Sequence, residues 1–186
     1  MTRMERHFTV SGFLVEGDRT LLHWHKKLRL WLPPGGHIDP DEDPIQAVER
    51  EVREETGIAA EVVPHVALMP FGEPRQLPPP LGIIVADVPQ GPHQHIDMSY
   101  ALRPLPGVAP GEPDGDHGFI WVSEAELRRN DALPVASCGV DIAVPDDVRV
   151  LGLQAIEVVR AAGLAYGHQS ARADSRDTED ARETSL

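Results

Sequence analysis

One cysteine, Cys138, occurs in 186 residues, so no disulfide can form within the chain. Positive charge is scarce too: 17 Lys and Arg stand against 30 Asp and Glu, a net charge of −13. That balance opposes stable binding to a long polyanion, so polymeric nucleic acid is not expected as a partner. No apolar run approaches the roughly 18 residues that cross a bilayer, and no basic-plus-apolar leader opens the chain. The expectation is a soluble, cytoplasmic protein, a monomer or homodimer, with no membrane partner. No internal repeat is present, which excludes solenoids and propellers. The length is ample for one hydrophobic core.

What the chain does have is a concentration of acid. Asp39 to Glu55 holds eight carboxylates against two arginines, close to half of the excess negative charge. Asp43 is a good N-cap, Pro44 suits the first helical turn, and Gly57 is a natural stop, so a helix is expected from Pro44 to Thr56. At about 100° per residue, Ile45, Val48 and Val52 form its buried stripe. Glu51, Glu54 and Glu55, at i, i+3 and i+4, share a second stripe, while Glu49 and Arg53 lie on a third side and can pair in solvent. Three carboxylates on one face repel one another. A hard divalent cation removes that cost, because Mg²⁺ takes oxygen ligands and keeps several waters. The competing reading is an ordinary solvated acidic face. A structural calcium site is a third, but the alternating oxygen ligands of a calcium loop are missing.

The stretch from Gly36 to Ile58 resembles the Nudix box. That pattern reads G, five residues, E, seven residues, then R-E-aliphatic-x-E-E-x-G-aliphatic, and Gly36, Glu42, Arg50, Glu51, Val52, Glu54, Glu55, Gly57 and Ile58 match every specified position. The resemblance implies Mg²⁺, or Mn²⁺, ligated by Glu51, Glu54 and Glu55, with the Gly36 carbonyl completing the site. It implies that Arg50 orients a catalytic glutamate and that Glu42 is a supporting acid. Glu54, Glu51 and Arg50 are the candidate catalytic residues, with the identity of the general base open. The implied reaction is attack of water at phosphorus on a pyrophosphate bond of a small nucleoside diphosphate derivative: a nucleoside triphosphate, a damaged nucleotide or an ADP-ribose type. The alternative is a catalytically silent protein of the same fold that senses a nucleotide, against which the intact acidic set argues.

The rest of the chain fits an α+β fold, an α/β/α sandwich with a mixed sheet between helices, which is also the fold that the resemblance implies. His7 to Glu16 and Arg19 to His25 read as a hairpin about Gly17-Asp18. Strands are expected at Ala60–Ala67, Leu81–Val88, Gln94–Leu102 and Gly118–Val122. Ser123, with Glu126 three residues on, opens a short helix to Arg128, and Pro145-Asp146 opens a last one that ends at Gly163. Five prolines between Pro70 and Pro80 exclude regular structure there. Residues 1–166 are read as one catalytic domain and 167–186 as a disordered polar tail.

Three further features are candidates for substrate contact. Lys26, Lys27 and Arg29 crowd one loop and could hold an outlying phosphate, or form an ordinary solvated turn. Trp31, and less so Phe71 or Trp24, could stack on a base, although aromatics are more often core. His93, His95 and Asp97 alternate, so on a strand they face one way. They could contact a phosphate or bind a metal such as zinc, or form an exposed polar face opposite buried Ile96, Met98 and Tyr100.

Overall fold

The computed structural model describes residues 4–89, 91–108, 118–137 and 139–163. The expectations for the 167–186 tail and for Cys138 lie outside these residues.

The N-terminal hairpin forms as β1 (Glu5–Glu16) and β2 (Arg19–His25). Glu16 pairs with Arg19, which leaves Gly17 and Asp18 as a two-residue turn with Gly17 at φ 65°. The other strands are β3 (Leu30–Leu32), β4 (Gly35–His37), β5 (Ala60–Val62), β6 (Gly82–Val88), β7 (His93–Pro104) and β8 (Phe119–Ser123). All eight make one mixed sheet in which β1 is the hub. It runs parallel to β7 from Glu5–His93 to Leu14–Leu102, antiparallel to β4, and antiparallel to β2. The edge of β7 opposite β1 carries β6 and β5 in succession, and β2 carries β3 and β8. A separate hairpin joins β9 (Ala132–Val135) to β10 (Val140–Ala143).

The period of two along β1 sorts its side chains into two cores. Val10 and Leu14 pack with Ala47, Val48 and Val52 of α1 (Pro44–Thr56). Phe13 and Val15 join the cluster of Val148, Ala155 and Ile156 from the helix at 146–163, here α3. A sheet with helices on both faces, the expected sandwich, is the result. A short α2 (Glu124–Arg129) carries the Ser123–Glu126 capping box. Among the described residues no helix is long and apolar enough to cross a membrane.

The α1 layer lies so close to β1 that Gly12 leaves no room for a side chain. A Cβ there would stand 2.5 Å from Val52 Cγ2 and 3.0 Å from Val48 Cγ2. Gly12→Ala should therefore destabilise the fold by about 1–3 kcal/mol through overpacking. A thermal melt with Tm unchanged from wild type would show that α1 can lift away freely.

Several boundaries differ from the sequence reading. Strand β5 stops at Val62 instead of Ala67, since Pro64 cannot donate to a ladder. Strand β6 is not buried along its length: Ile83 and Val85 are 64% and 59% exposed because α1 covers the sheet nearer Gly12, away from this edge. Ala47 is fully buried, while Ile45 is only partly so. Glu49 does not pair with Arg53. Its Oε1 accepts the Val62 N–H at 3.2 Å and ties α1 to β5, and burial pushes its carboxyl above the usual range.

Candidate functional site

Helix α1 is built as its sequence requires. Asp43 Oδ1 accepts from the N–H groups of Ile45 (2.9 Å) and Gln46 (3.1 Å), and Gln46 returns the bond to Asp43 N–H at 3.0 Å. Gly57 closes the other end at φ 70°, its N–H donating to Arg53 O. These caps fix which way Glu51, Glu54 and Glu55 point. In front of them Gly35 and Gly36 belong to strand β4, which the sequence reading did not include. Both are pinned against β1, and Gly35 has no space for a Cβ beside Val10 O. A Cβ on Gly36 would overlap the Glu51 carboxylate, so the missing side chain is what lets that carboxylate lie against the strand backbone.

Arg50 organises the acids. Its Nε donates to Glu42 Oε1 at 2.7 Å and its Nη2 to Glu42 Oε2 at 2.9 Å, a fork that grips both oxygens. Nη1 donates to Glu51 Oε1 (2.8 Å) and Glu54 Oε2 (3.2 Å), and Nη2 also reaches the His37 carbonyl at 3.1 Å. The hydrogen bonds from Arg50 hold the Glu42 carboxyl below its usual range, and those to Glu42 and Glu51 raise the guanidinium above its own. Glu55 Oε2 accepts the Gly35 N–H at 3.1 Å. Repulsion within the acidic face is thus partly relieved by one arginine, a contribution that helix periodicity did not reveal. The donor set suits a hard cation: carboxylates of Glu51, Glu54 and Glu55 beside the strand of Gly36, with the Glu54 side chain 43% exposed.

A cleft of about 540 Å³ opens next to Gly35, Gly36 and Glu55, across the sheet face formed by β1, β2, β6 and β7. Its size falls in the range of small-molecule sites. Asp97 lies in it, encircled by hydroxyls: Thr9 (2.9 Å) and Ser11 (3.1 Å) donate to Oδ1 and Ser99 (3.0 Å) to Oδ2. His95 also lines the cleft, while His93 stands beside it at the neighbouring position of the same strand face. Burial and the neighbouring imidazoles pull the His95 ring below its usual range. His23, His25 and His37 were not singled out from sequence, yet all three line the cleft. The signal available was His23 and His25 at alternate positions of a strand, and His37 directly after the box glycine.

The basic loop forms the turn between β2 and β3, with Lys26, Lys27 and Arg29 exposed and Arg29 at φ 55°. Its neighbours His25, Leu28 and Leu30 line the cleft, so the loop flanks the mouth. Trp31 is a correction. It is 2% exposed and packs edge-on against Trp24 at 5.5 Å in the core, because strand β3 turns it inward, so neither ring has a face open to a base. Phe71 is 45% exposed in the proline-rich loop. That loop is irregular, as expected, and is tied by Gln76 to Met69 and Phe71 and by Arg75 to Asp43 at 2.5 Å.

The sequence profile of the NUDIX domain matches residues 5–137. An RNA pyrophosphohydrolase from Erythrobacter litoralis is 38% identical over 111 residues, 56% of this chain and 65% of that protein. An asymmetrical bis(5'-nucleosyl)-tetraphosphatase from Mus musculus is 57% identical over 52 residues, 28% of this chain and 31% of that one. The chain thus spans less than two thirds of each of these relatives. Among solved structures, a NUDIX-family hydrolase from Clostridium perfringens superposes with a TM-score of 0.64 at 28% identity, covering 83% of this chain and 99% of that one. A NUDIX hydrolase from Nitrosomonas europaea shares the fold at a TM-score of 0.54 and 20% identity, over 85% and 90% of the two chains. With the profile spanning most of the chain and the box residues assembled around Arg50, the protein belongs to the NUDIX family.

Proposed function

We propose that the protein hydrolyses a phosphoanhydride bond in a small 5′-nucleotide carrying a pyrophosphate or polyphosphate group, with Mg²⁺ or Mn²⁺ held by Glu51, Glu54, Glu55 and the Gly36 carbonyl. The observation that carries this reading is the Arg50 network, which gathers Glu42, Glu51 and Glu54 beside Gly36 at the edge of the cleft. A bound dication would supply charge neutralisation on the phosphate oxygens and a more acidic water. The protein's own groups supply the rest. Arg50 holds the acids in place, and a carboxylate of the Glu51–Glu55 set serves as general base. Asp97, fixed by three hydroxyls, offers an acceptor for a base N–H or a sugar O–H deeper in the cleft. The loop of Lys26, Lys27 and Arg29 lies where outlying phosphate charge would emerge.

The names of the two relatives agree on a phosphoanhydride and differ on what carries it, an RNA in one and a bis(5′-nucleosyl) tetraphosphate in the other. The net charge of −13 favours the small substrate over the RNA end, since among the described residues the basic loop is the cluster of cations flanking the cleft mouth. A release assay decides. Nucleoside triphosphates, dinucleoside polyphosphates, ADP-ribose and a 5′-triphosphorylated RNA oligomer are each incubated with protein in Mg²⁺ or Mn²⁺ and in excess EDTA. Cleavage of a small nucleotide with either ion, and none in EDTA, is expected. Undiminished cleavage in EDTA would refute the metal assignment, and turnover of the RNA alone would refute the small-substrate reading. Binding without turnover across the whole panel would favour the sensor.

A further inference from the structure

Four histidines from three strands meet on the sheet face beside the cleft. His7 of β1 lies opposite His95 of β7 in the parallel register, and His93 is two residues before it on the same face. His37 of β4 pairs with Thr9, two residues past His7. Ring centroids are 4.4 Å apart for His7–His93, 4.8 Å for His93–His95 and 5.0 Å for His37–His95. Among the described residues, His7, His93 and His95 are the one group of three or more metal-ligating side chains whose donor atoms all lie within 4.8 Å of one another. Two of these imidazoles have a buried nitrogen without a hydrogen-bond partner: His93 Nε2 and His95 Nε2. A buried polar atom left unpaired is costly, and two in one cluster call for a shared partner. A neighbouring carboxylate fixes the third ring. Glu5 Oε1 stands 3.2 Å from His7 Nε2, where it accepts an Nε2–H and leaves the Nδ1 lone pair directed to the cluster. Carboxylates orient metal-bound imidazoles in this way.

We propose that His7, His93 and His95 form a second metal site, specific for a borderline transition-metal dication of the Zn²⁺ class, with His37 placed to serve as a fourth ligand. The two sites divide by chemistry. The carboxylates of α1 offer hard oxygen to Mg²⁺ or Mn²⁺, whereas clustered imidazole nitrogen selects Zn²⁺ and its neighbours in the series. Zn–N bonds of about 2.0–2.1 Å place neighbouring ligand nitrogens about 3.4 Å apart. His7 Nδ1 and His37 Nε2 are already 3.3 Å apart, and rotation of the other rings on fixed strands closes the wider gaps. His7 and His37 keep the site open on its outer side, so an ion can enter without unfolding the sheet.

The test is calorimetric titration of untagged, full-length protein with ZnCl₂ in saturating Mg²⁺, which occupies the oxygen site. Roughly one equivalent should bind with a Kd below about 10 µM. His93→Ala and His95→Ala should each weaken it by at least about 100-fold, while Glu54→Gln leaves it unchanged. Circular dichroism of the variants checks their folding, and His7→Gln replaces any that fails. Absence of Zn²⁺ binding to the wild type would overturn the proposal. So would an affinity indifferent to the histidine variants, or one lost in Glu54→Gln.

Discussion

Glu54→Gln and Glu55→Gln should each lower kcat on the order of 10²–10³-fold while the protein stays folded. Each change removes one anionic oxygen from the proposed metal-binding face of α1 and keeps the shape of the side chain. Glu55→Gln retains an oxygen for the Gly35 N–H, and Glu54 gives up only a 3.2 Å contact with Arg50 at a side chain 43% exposed. Helix periodicity alone would credit both variants with relief from repulsion and a rise in metal-free stability. The Arg50 network already provides part of that relief, so stability in EDTA should stay within about 0.5 kcal/mol of wild type. Mg²⁺ should stabilise the wild type by linkage, and this gain should shrink in both variants if the two carboxylates are ligands, as proposed. Wild-type turnover in either variant would mean that the carboxylates serve another purpose.

Arg50→Met should affect both activity and stability. Methionine matches the length of the aliphatic stem but donates nothing, so Glu42, Glu51 and Glu54 lose their common partner and the His37 carbonyl loses its donor. Glu42 and Glu51 are only 17% and 16% exposed, so their charges are left poorly solvated. A loss of about 1–2 kcal/mol in EDTA is expected, less than for a fully buried pair because water still reaches the cluster. Mg²⁺ should restore part of it by taking over Glu51. Turnover should fall on the order of 10²-fold, because the acids are no longer held against Gly36. Arg50→Lys should recover little, since one ammonium cannot grip both Glu42 oxygens and also span Glu51 and Glu54. Parallel melts with and without Mg²⁺ check the pattern. A variant destabilised equally in both buffers would place Arg50 in the scaffold only.

The parts of this molecule legible in its sequence are those governed by local rules. Helix α1 begins and ends where Asp43, Pro44 and Gly57 say it should, and the hairpin turns at Gly17-Asp18, because capping and turn chemistry act within a few residues. The orientation of Glu51, Glu54 and Glu55 follows from helical spacing. What stayed hidden depends on contacts distant in sequence. Strand β4 exists because Gly35 and Gly36 can press against β1, and nothing local in Pro-Pro-Gly-Gly announces a strand. Glu49 is drawn to Val62 by the arrival of β5. Trp31 is placed in the core by the pairing of β3 with β2, a contact that residue type alone leaves undecided. The histidine cluster needs the parallel pairing of β1 with β7 to bring His7 to His93 and His95, although the alternation of the latter two was visible at the outset.

On the proposed function, the α1 carboxylates and the adjoining cleft serve water attack at phosphorus. Hydrolysis of the best small-nucleotide substrate in ¹⁸O-water with Mg²⁺, followed by ³¹P spectroscopy of the products, tests it most directly. One ¹⁸O should enter a phosphate product, with no label on sugar or base carbon and no reaction in EDTA. Label on carbon, or cleavage of a simple phosphate monoester in preference to every phosphoanhydride, would contradict the account.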